Sequence, residues 1–147
     1  MVKPIYVLNG PNLNLLGERE PEVYGRTTLG EIGEMAAERA KSHGLSVEFR
    51  QTNSEADLIG WLQEARQKAS AVIINAAGLS HTSVAVLDAA RALGKPLIEV
   101  HLSNPYAREE YRRHSFVSEA ATGVICGLGA EGYLFAIDHL ARLLEGP

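Results

Sequence analysis

An alternation of strand-like runs and helix-spaced segments, repeated along the whole chain, constrains this sequence more than any other feature. Residues 5–8 read IYVL and residues 72–74 read VII. Both are apolar throughout, as strands buried on both faces are. Residues 45–50 differ: Leu45, Val47 and Phe49 alternate with Ser46, Glu48 and Arg50, the pattern of a half-exposed edge strand. Residues 96–102 (PLIEVHL) and 123–127 (GVICG) read as a fourth and a fifth strand.

Helix signals lie between these runs. Thr28 and Glu31 have capping-box spacing, which predicts a helix to about residue 42 with Gly44 as its left-handed terminator. Leu29, Ile32, Met35, Ala36 and Ala40 fall on one face of it. Ser54 can cap a helix over 55–68; another is expected over about 83–93, stopped by Gly94, and a last over 134–144. Trp61 and Phe135 sit at core spacing, so both are expected inside. Strands alternating with helices imply a parallel sheet covered on both faces by right-handed crossovers. An amphipathic second strand beside apolar first, third and fourth strands suits the order 2-1-3-4-5. The expectation is a single α/β domain over 1–147, a flavodoxin-like three-layer sandwich. Ligands of such sheets bind beyond the carboxyl ends of the strands.

Composition narrows the function classes. The net charge of −4 argues against nucleic acid as the main partner, since phosphate binding needs a basic face. No apolar stretch approaches the eighteen residues of a membrane span, and no signal sequence precedes the first strand, so a cytoplasmic protein is expected. Cys126 is the lone cysteine, which excludes an internal disulfide and a cysteine-based zinc site. Lys3, Lys41, Lys68 and Lys95 all belong to the opposite end of the expected sheet, so a Schiff-base mechanism lacks its amine. Residues 127–132 match Gly-x-Gly-x-x-Gly by spacing, but they follow the last strand and read as a turn.

Residues 9–25, NGPNLNLLGEREPEVYG, are too long for an ordinary strand-to-helix connection of about 2–6 residues. Leu13, Leu15, Leu16 and Val23 anchor the stretch, so it reads as an active-site loop with a mobile half. A guanidinium close to a phenol favours its phenolate, so Arg19 and Tyr24 together could offer a base; most loop tyrosines are ordinary packing residues, and the residues alone favour that reading. Glu99 and His101 alternate on one face of the fourth strand, and a carboxylate beside an imidazole orients it and keeps a proton on it. His81 precedes a helix N-terminus suited to a carboxylate, although Thr82 or Ser83 can simply cap that helix. Arg108 and Arg112 fit either an anion clamp or a solvated charge run. His81, Glu99 and His101 show no recognised metal-ligand spacing. The residues alone leave open an enzyme, a binding module for a small carboxylate, and a metal-dependent hydrolase.

Three motifs together resemble the type II 3-dehydroquinate dehydratases: NGPNLNLLGEREPEVYG, then NAAGLSHTS at 75–83, then IEVHLSNPYAREEYRRHS at 98–115. Ala76 departs from the proline of many members, without removing a functional group. The resemblance implies trans-elimination of water from 3-dehydroquinate to 3-dehydroshikimate through an enolate, in aromatic biosynthesis or quinate breakdown. It implies Tyr24 as base, Arg19 as its partner, and Asn12 holding a water on the enolate oxygen. His101 would protonate the leaving hydroxyl, oriented by Glu99. Asn75, His81, Leu102, Ser103 and Arg112 would bind substrate, with the Leu102–Ser103 backbone on its carboxylate. Asp88 would reach the site of a neighbouring subunit. Trimers assembled into dodecamers, with neither metal nor cofactor, are implied as well.

Overall fold

In chain order the elements are β1 (Ile5–Asn9), α1 (Pro21–Tyr24), α2 (Leu29–Ser42), β2 (Val47–Gln51), α3 (Glu55–Lys68), β3 (Ala71–Asn75), α4 (Val84–Arg91), β4 (Leu97–His101), β5 (Gly123–Cys126) and α5 (Glu131–Glu145). The structure is a computed structural model and describes residues 2–145; Met1, Gly146 and Pro147 of the expected domain lie outside the described residues. All strand pairs are parallel and the order is β2-β1-β3-β4-β5, as the hydrophobic pattern predicts. The edge strand β2 is half-buried, whereas β1, β3 and β4 are buried along their whole length.

Strand parity sorts the side chains into two cores. Ile5, Val7, Ile73, Ile98 and Val100 face α2 and α5, meeting Ile32, Ala36, Tyr133 and Ile137. Tyr6, Leu8, Val72, Ile74 and Leu97 face α3 and α4, meeting Leu58, Leu62 and Val86. Helix caps form where the sequence places them. Thr28 and Glu31 make a full capping box, Ser54 accepts from Asp57 N–H, and Ser83 accepts from Val86 N–H. At Gly10, just past β1, a Cβ would lie 2.6 Å from the Ala76 carbonyl oxygen. Only glycine lets the two strand-end loops come so close.

Four expectations change. The loop of residues 9–25 holds a short helix, α1, which starts at Pro21 because proline's fixed φ suits a first helical position. Helix α5 begins at Glu131 rather than 134, so the last glycine of the Gly-x-Gly-x-x-Gly string is inside it. A Cβ on that Gly132 would stand 3.3 Å from Val100 and 3.4 Å from Ile125, so its absence seats the helix closely on the sheet. Phe135 is 43% exposed, not core, because the buried stripe of α5 runs through Tyr133, Leu134, Ala136, Ile137 and Leu140 on either side of it. Trp61 is half-buried, with the Arg50 guanidinium 5.6 Å from its ring centroid.

Candidate active site

A cleft opens beyond the carboxyl ends of β1, β3 and β4, with about 120 Å³ of solvent-accessible volume. That suits a small ring compound, not a dinucleotide. Its walls hold Asn12, Arg19 and Tyr24 from the first loop, Asn75 and His81 after β3, and His101, Leu102, Ser103, Arg108 and Arg112 from β4 and the segment after it. Nine of the eleven predicted site residues therefore share one cavity.

The floor is set by strand register. Asn9 and Asn75 are paired across β1 and β3 and have the parity of Val7 and Ile73, so both turn towards α5. Tyr133 of α5, wholly buried, reaches them: its hydroxyl donates to Asn9 Oδ1 at 2.7 Å and accepts from Asn75 Nδ2 at 3.0 Å. Asn75 Oδ1 in turn accepts from Ala77 N–H at 3.1 Å, which supports Ala77 in its left-handed conformation at φ 53°.

On the opposite parity, Glu99 and His101 project from β4 to the other side of the sheet. Glu99 is fully buried, and its carboxylate accepts hydrogen bonds from His101 Nε2, Ser115 Oγ (2.6 Å) and Ser118 Oγ. Burial alone would raise the carboxyl; the bonds from His101, Ser115 and Ser118 outweigh it and hold Glu99 below the ordinary carboxylate range. Because a carboxylate accepts, Nε2 of His101 carries a hydrogen, and any proton His101 offers the cleft is on Nδ1. His81 stacks beside it, ring centroids 6.3 Å apart. Its Nδ1–H donates to the His114 carbonyl at 2.8 Å, since a carbonyl can only accept. Burial first, then the neighbouring His101 and Arg112, lowers His81 below the usual imidazole range despite that bond. His81 is therefore neutral, and its Nε2 is an acceptor.

The third side is held differently. Arg19 and Arg108 both lie against the Tyr24 ring, their guanidinium carbons 5.0 and 5.2 Å from its centroid. Arg19 also pairs with Glu20 at 3.2 Å and Arg112 with Glu109 at 2.8 Å. Asn12 has left-handed backbone, φ 71°, pinned by its N–H to Asn53 Oδ1 at 2.9 Å, and Asn53 Oδ1 also accepts from Gln51 Nε2 at 3.1 Å. The carbonyls of Leu102 and Ser103 accept from Gly129 and Gly127 N–H, whereas no acceptor is found for their own N–H groups among the described residues. Two backbone donors are thus free beside His101.

The sequence profile of the family described as Dehydroquinase class II matches residues 3–141. The chain belongs to that family. It is 59% identical to the 3-dehydroquinate dehydratase of Caulobacter vibrioides, over 99% of this chain and 99% of that protein. The 3-dehydroquinate dehydratase of Phenylobacterium zucineum is 58% identical, over 97% and 99%. Among solved structures, a type II dehydroquinase from Propionibacterium acnes superposes with a TM-score of 0.93 at 48% identity, covering 97% of this chain and 98% of that one.

Two predicted residues stand outside the cleft. Glu99 is behind His101, where an orienting carboxylate belongs. Asp88 is exposed on α4, in a shallow recess beside Ile59, Gln63 and Arg66, and joins no site residue of its own chain. The segment over 103–118 is not one helix but a series of 3-10 turns, so Arg108 and Arg112 reach the cleft from irregular backbone rather than from a shared helical face. No group of three or more His, Cys, Asp or Glu is placed to hold a metal ion among the described residues.

Sequence reasoning missed Tyr133, Ser115 and Ser118. Tyr133 had a signal: two asparagines at matching inward positions of adjacent buried strands need a polar partner from the covering helix. The serines had none, since they act from irregular backbone without periodicity.

Proposed function

We propose that the chain is a 3-dehydroquinate dehydratase, a hydro-lyase that eliminates water from 3-dehydroquinate in trans through an enolate. The observation that carries the reading is the pairing, in one cleft of a class II dehydroquinase, of Tyr24 beside two guanidinium groups with His101 backed by a buried carboxylate. Tyr24, as phenolate, takes the proton alpha to the ketone. Negative charge moves from its oxygen to the enolate, and Arg19 and Arg108 remain close to both. Asn12 holds a water on the enolate oxygen. His101 gives its Nδ1 proton to the leaving hydroxyl, the C–O bond breaks and water departs, while Nε2–H stays on Glu99. The proton gained by Tyr24 then returns to His101 through solvent, which restores both groups.

The free N–H groups of Leu102 and Ser103 suit the substrate carboxylate. His81 accepts from a substrate hydroxyl, Asn75 donates to an oxygen, and Arg112 completes the clamp. Asp88 serves the site of an adjacent subunit in a dodecamer built of trimers, and the protein works in the cytoplasm without metal or cofactor, in aromatic biosynthesis or quinate breakdown. No described helix is long and apolar enough to cross a membrane.

The test is the rise in enone absorbance of 3-dehydroshikimate when 3-dehydroquinate is added to the purified protein. Absence of turnover across the working pH range refutes the reading. Borohydride added with substrate leaves the enzyme active; a reduced covalent adduct would refute the enolate route.

A further inference from the structure

The chain of hydrogen bonds through Tyr133 has only one possible direction. At one end Asn9 Nδ2 donates to the Arg50 carbonyl at 3.0 Å, so Asn9 turns its Oδ1 to Tyr133. At the other end Ala77 N–H donates to Asn75 Oδ1, so Asn75 turns its Nδ2 to Tyr133. A backbone carbonyl only accepts and a backbone N–H only donates, which anchors both ends. Between them the phenol spends its one hydrogen on Asn9 and accepts from Asn75. Burial pushes the Tyr133 hydroxyl well above the ordinary phenol range, against the smaller opposing effect of the Asn75 bond, so this hydrogen stays in place.

The consequence appears in the cleft, which Asn75 lines. With Oδ1 turned to Ala77 and one Nδ2 hydrogen on Tyr133, the second Nδ2 hydrogen is left for a ligand. An unrestrained amide offers either a donor or an acceptor by turning about its last torsion. We propose that Tyr133 is a positioning residue for the dehydratase reaction: it locks the Asn75 amide in one orientation, so that the site presents its remaining N–H donor to a substrate oxygen. Tyr133 touches no substrate and acts from the far side of the sheet end, through Asn75. The inference rests on the dehydratase reading above and adds to it the residue that sets the polarity of one binding contact.

Two variants and one substrate-free measurement test it. In Tyr133→Phe the KM for 3-dehydroquinate rises about tenfold, the effect of losing one well-oriented hydrogen bond, while kcat changes by less than about threefold. Asn9→Leu keeps the phenol oxygen but removes the acceptor that aims its hydrogen, and it raises KM in the same way although Asn9 is absent from the cleft walls. In an Asn75→Ala background neither substitution raises KM further. A lower Tm with unchanged KM, or KM effects that add to that of Asn75→Ala, would overturn the proposal and leave Tyr133 a packing residue. The lock is also read without substrate: in 15N NMR the side-chain amide hydrogens of Asn75 exchange slowly in the wild type and lose that protection in Tyr133→Phe. Equal exchange in both proteins refutes the lock even if the enzyme turns over. Lack of turnover with slow exchange in the wild type and loss of protection in the variant refutes the dehydratase reading and keeps the lock.

Discussion

The two sides of the cleft to which we assign the acid and the base are built on opposite principles. His101 projects from a strand buried along its whole length, and the Glu99 carboxylate behind it is bound by three side chains. Tyr24 and Arg19 come from residues 18–25, where the backbone hydrogen bonds are short-range turns such as Arg19 N–H to Leu15 and Tyr24 N–H to Glu20 carbonyls. Glu20 there is left-handed, at φ 40°. Tyr24 is only partly buried against the core, and two guanidinium groups, each supplied by a long side chain, lie against its ring. One half is thus preorganised by burial, and the other stands on a loop held by short-range turns. The difference teaches a division of labour: the group that needs an exact tautomer sits on a buried strand, and the group that needs access sits on a loop.

The largest effects should separate the two sides. Tyr24→Phe lowers kcat by about 10²–10⁴-fold, the range of a lost general base, with Tm unchanged within about 2 °C because the hydroxyl has no buried partner. Glu99→Ala costs both activity and about 1–3 kcal/mol of stability, since His101 and two serines lose their acceptor. Steady-state kinetics paired with calorimetry decides it; an unstable Tyr24→Phe or a fully stable Glu99→Ala would erase the contrast. Next in size is the mobility of residues 18–25. Their amides should exchange with solvent at a small opening free energy, those of β4 at nearly the global value, and substrate or an anion should slow only the former. Uniform protection across both segments would contradict a moving base.

Smaller is the effect of the serines. Ser115→Ala and Ser118→Ala each leave Glu99 one donor short, which raises the proton affinity of the Glu99 carboxylate and moves the acidic limb of the pH–rate profile upward, with a several-fold loss of kcat. A profile identical to wild type would make the two hydroxyls bystanders. The smallest is the pH dependence of stability. His81 and Glu99, the two shifted groups around His101, have folded values below their unfolded ones. Stability is therefore fully present above the unfolded values of 6.5 for His81 and 4.5 for Glu99, and is lost as pH falls through each lowered folded value. Denaturation midpoints should decline gently below about pH 6.5 and more steeply in the carboxylate range; a Tm that rises on acidification would reverse the sign.

Much of this molecule was legible without coordinates. Apolar runs and their parity specify buried strands, the one alternating run specifies the sheet edge, and Thr28, Ser54 and Ser83 specify helix starts, because each signal is a local rule about backbone hydrogen bonds and burial. The side chains at strand ends were legible for the same reason: a parallel sheet collects them at one edge, and motif likeness gathered nearly the whole cleft. Phe135 misled because helix spacing tells which residues share a face but not where the buried stripe ends. Ser115, Ser118 and the true path of Arg108 and Arg112 were hidden because irregular backbone has no period to read.

By itself, then, the sequence determined the layer architecture, the strand order, the family and the residue types at the cleft. Only the tertiary structure decided which neighbours give those residues their states. That Tyr133 sets the polarity of Asn75, that Glu99 is ionised by two distant serines and a histidine, and that His81 is a neutral acceptor all depend on contacts between residues far apart in the chain. Such contacts follow from how α5 and the 103–118 segment pack on the sheet, and their energies come from desolvation and direction at close range, which no local pattern encodes.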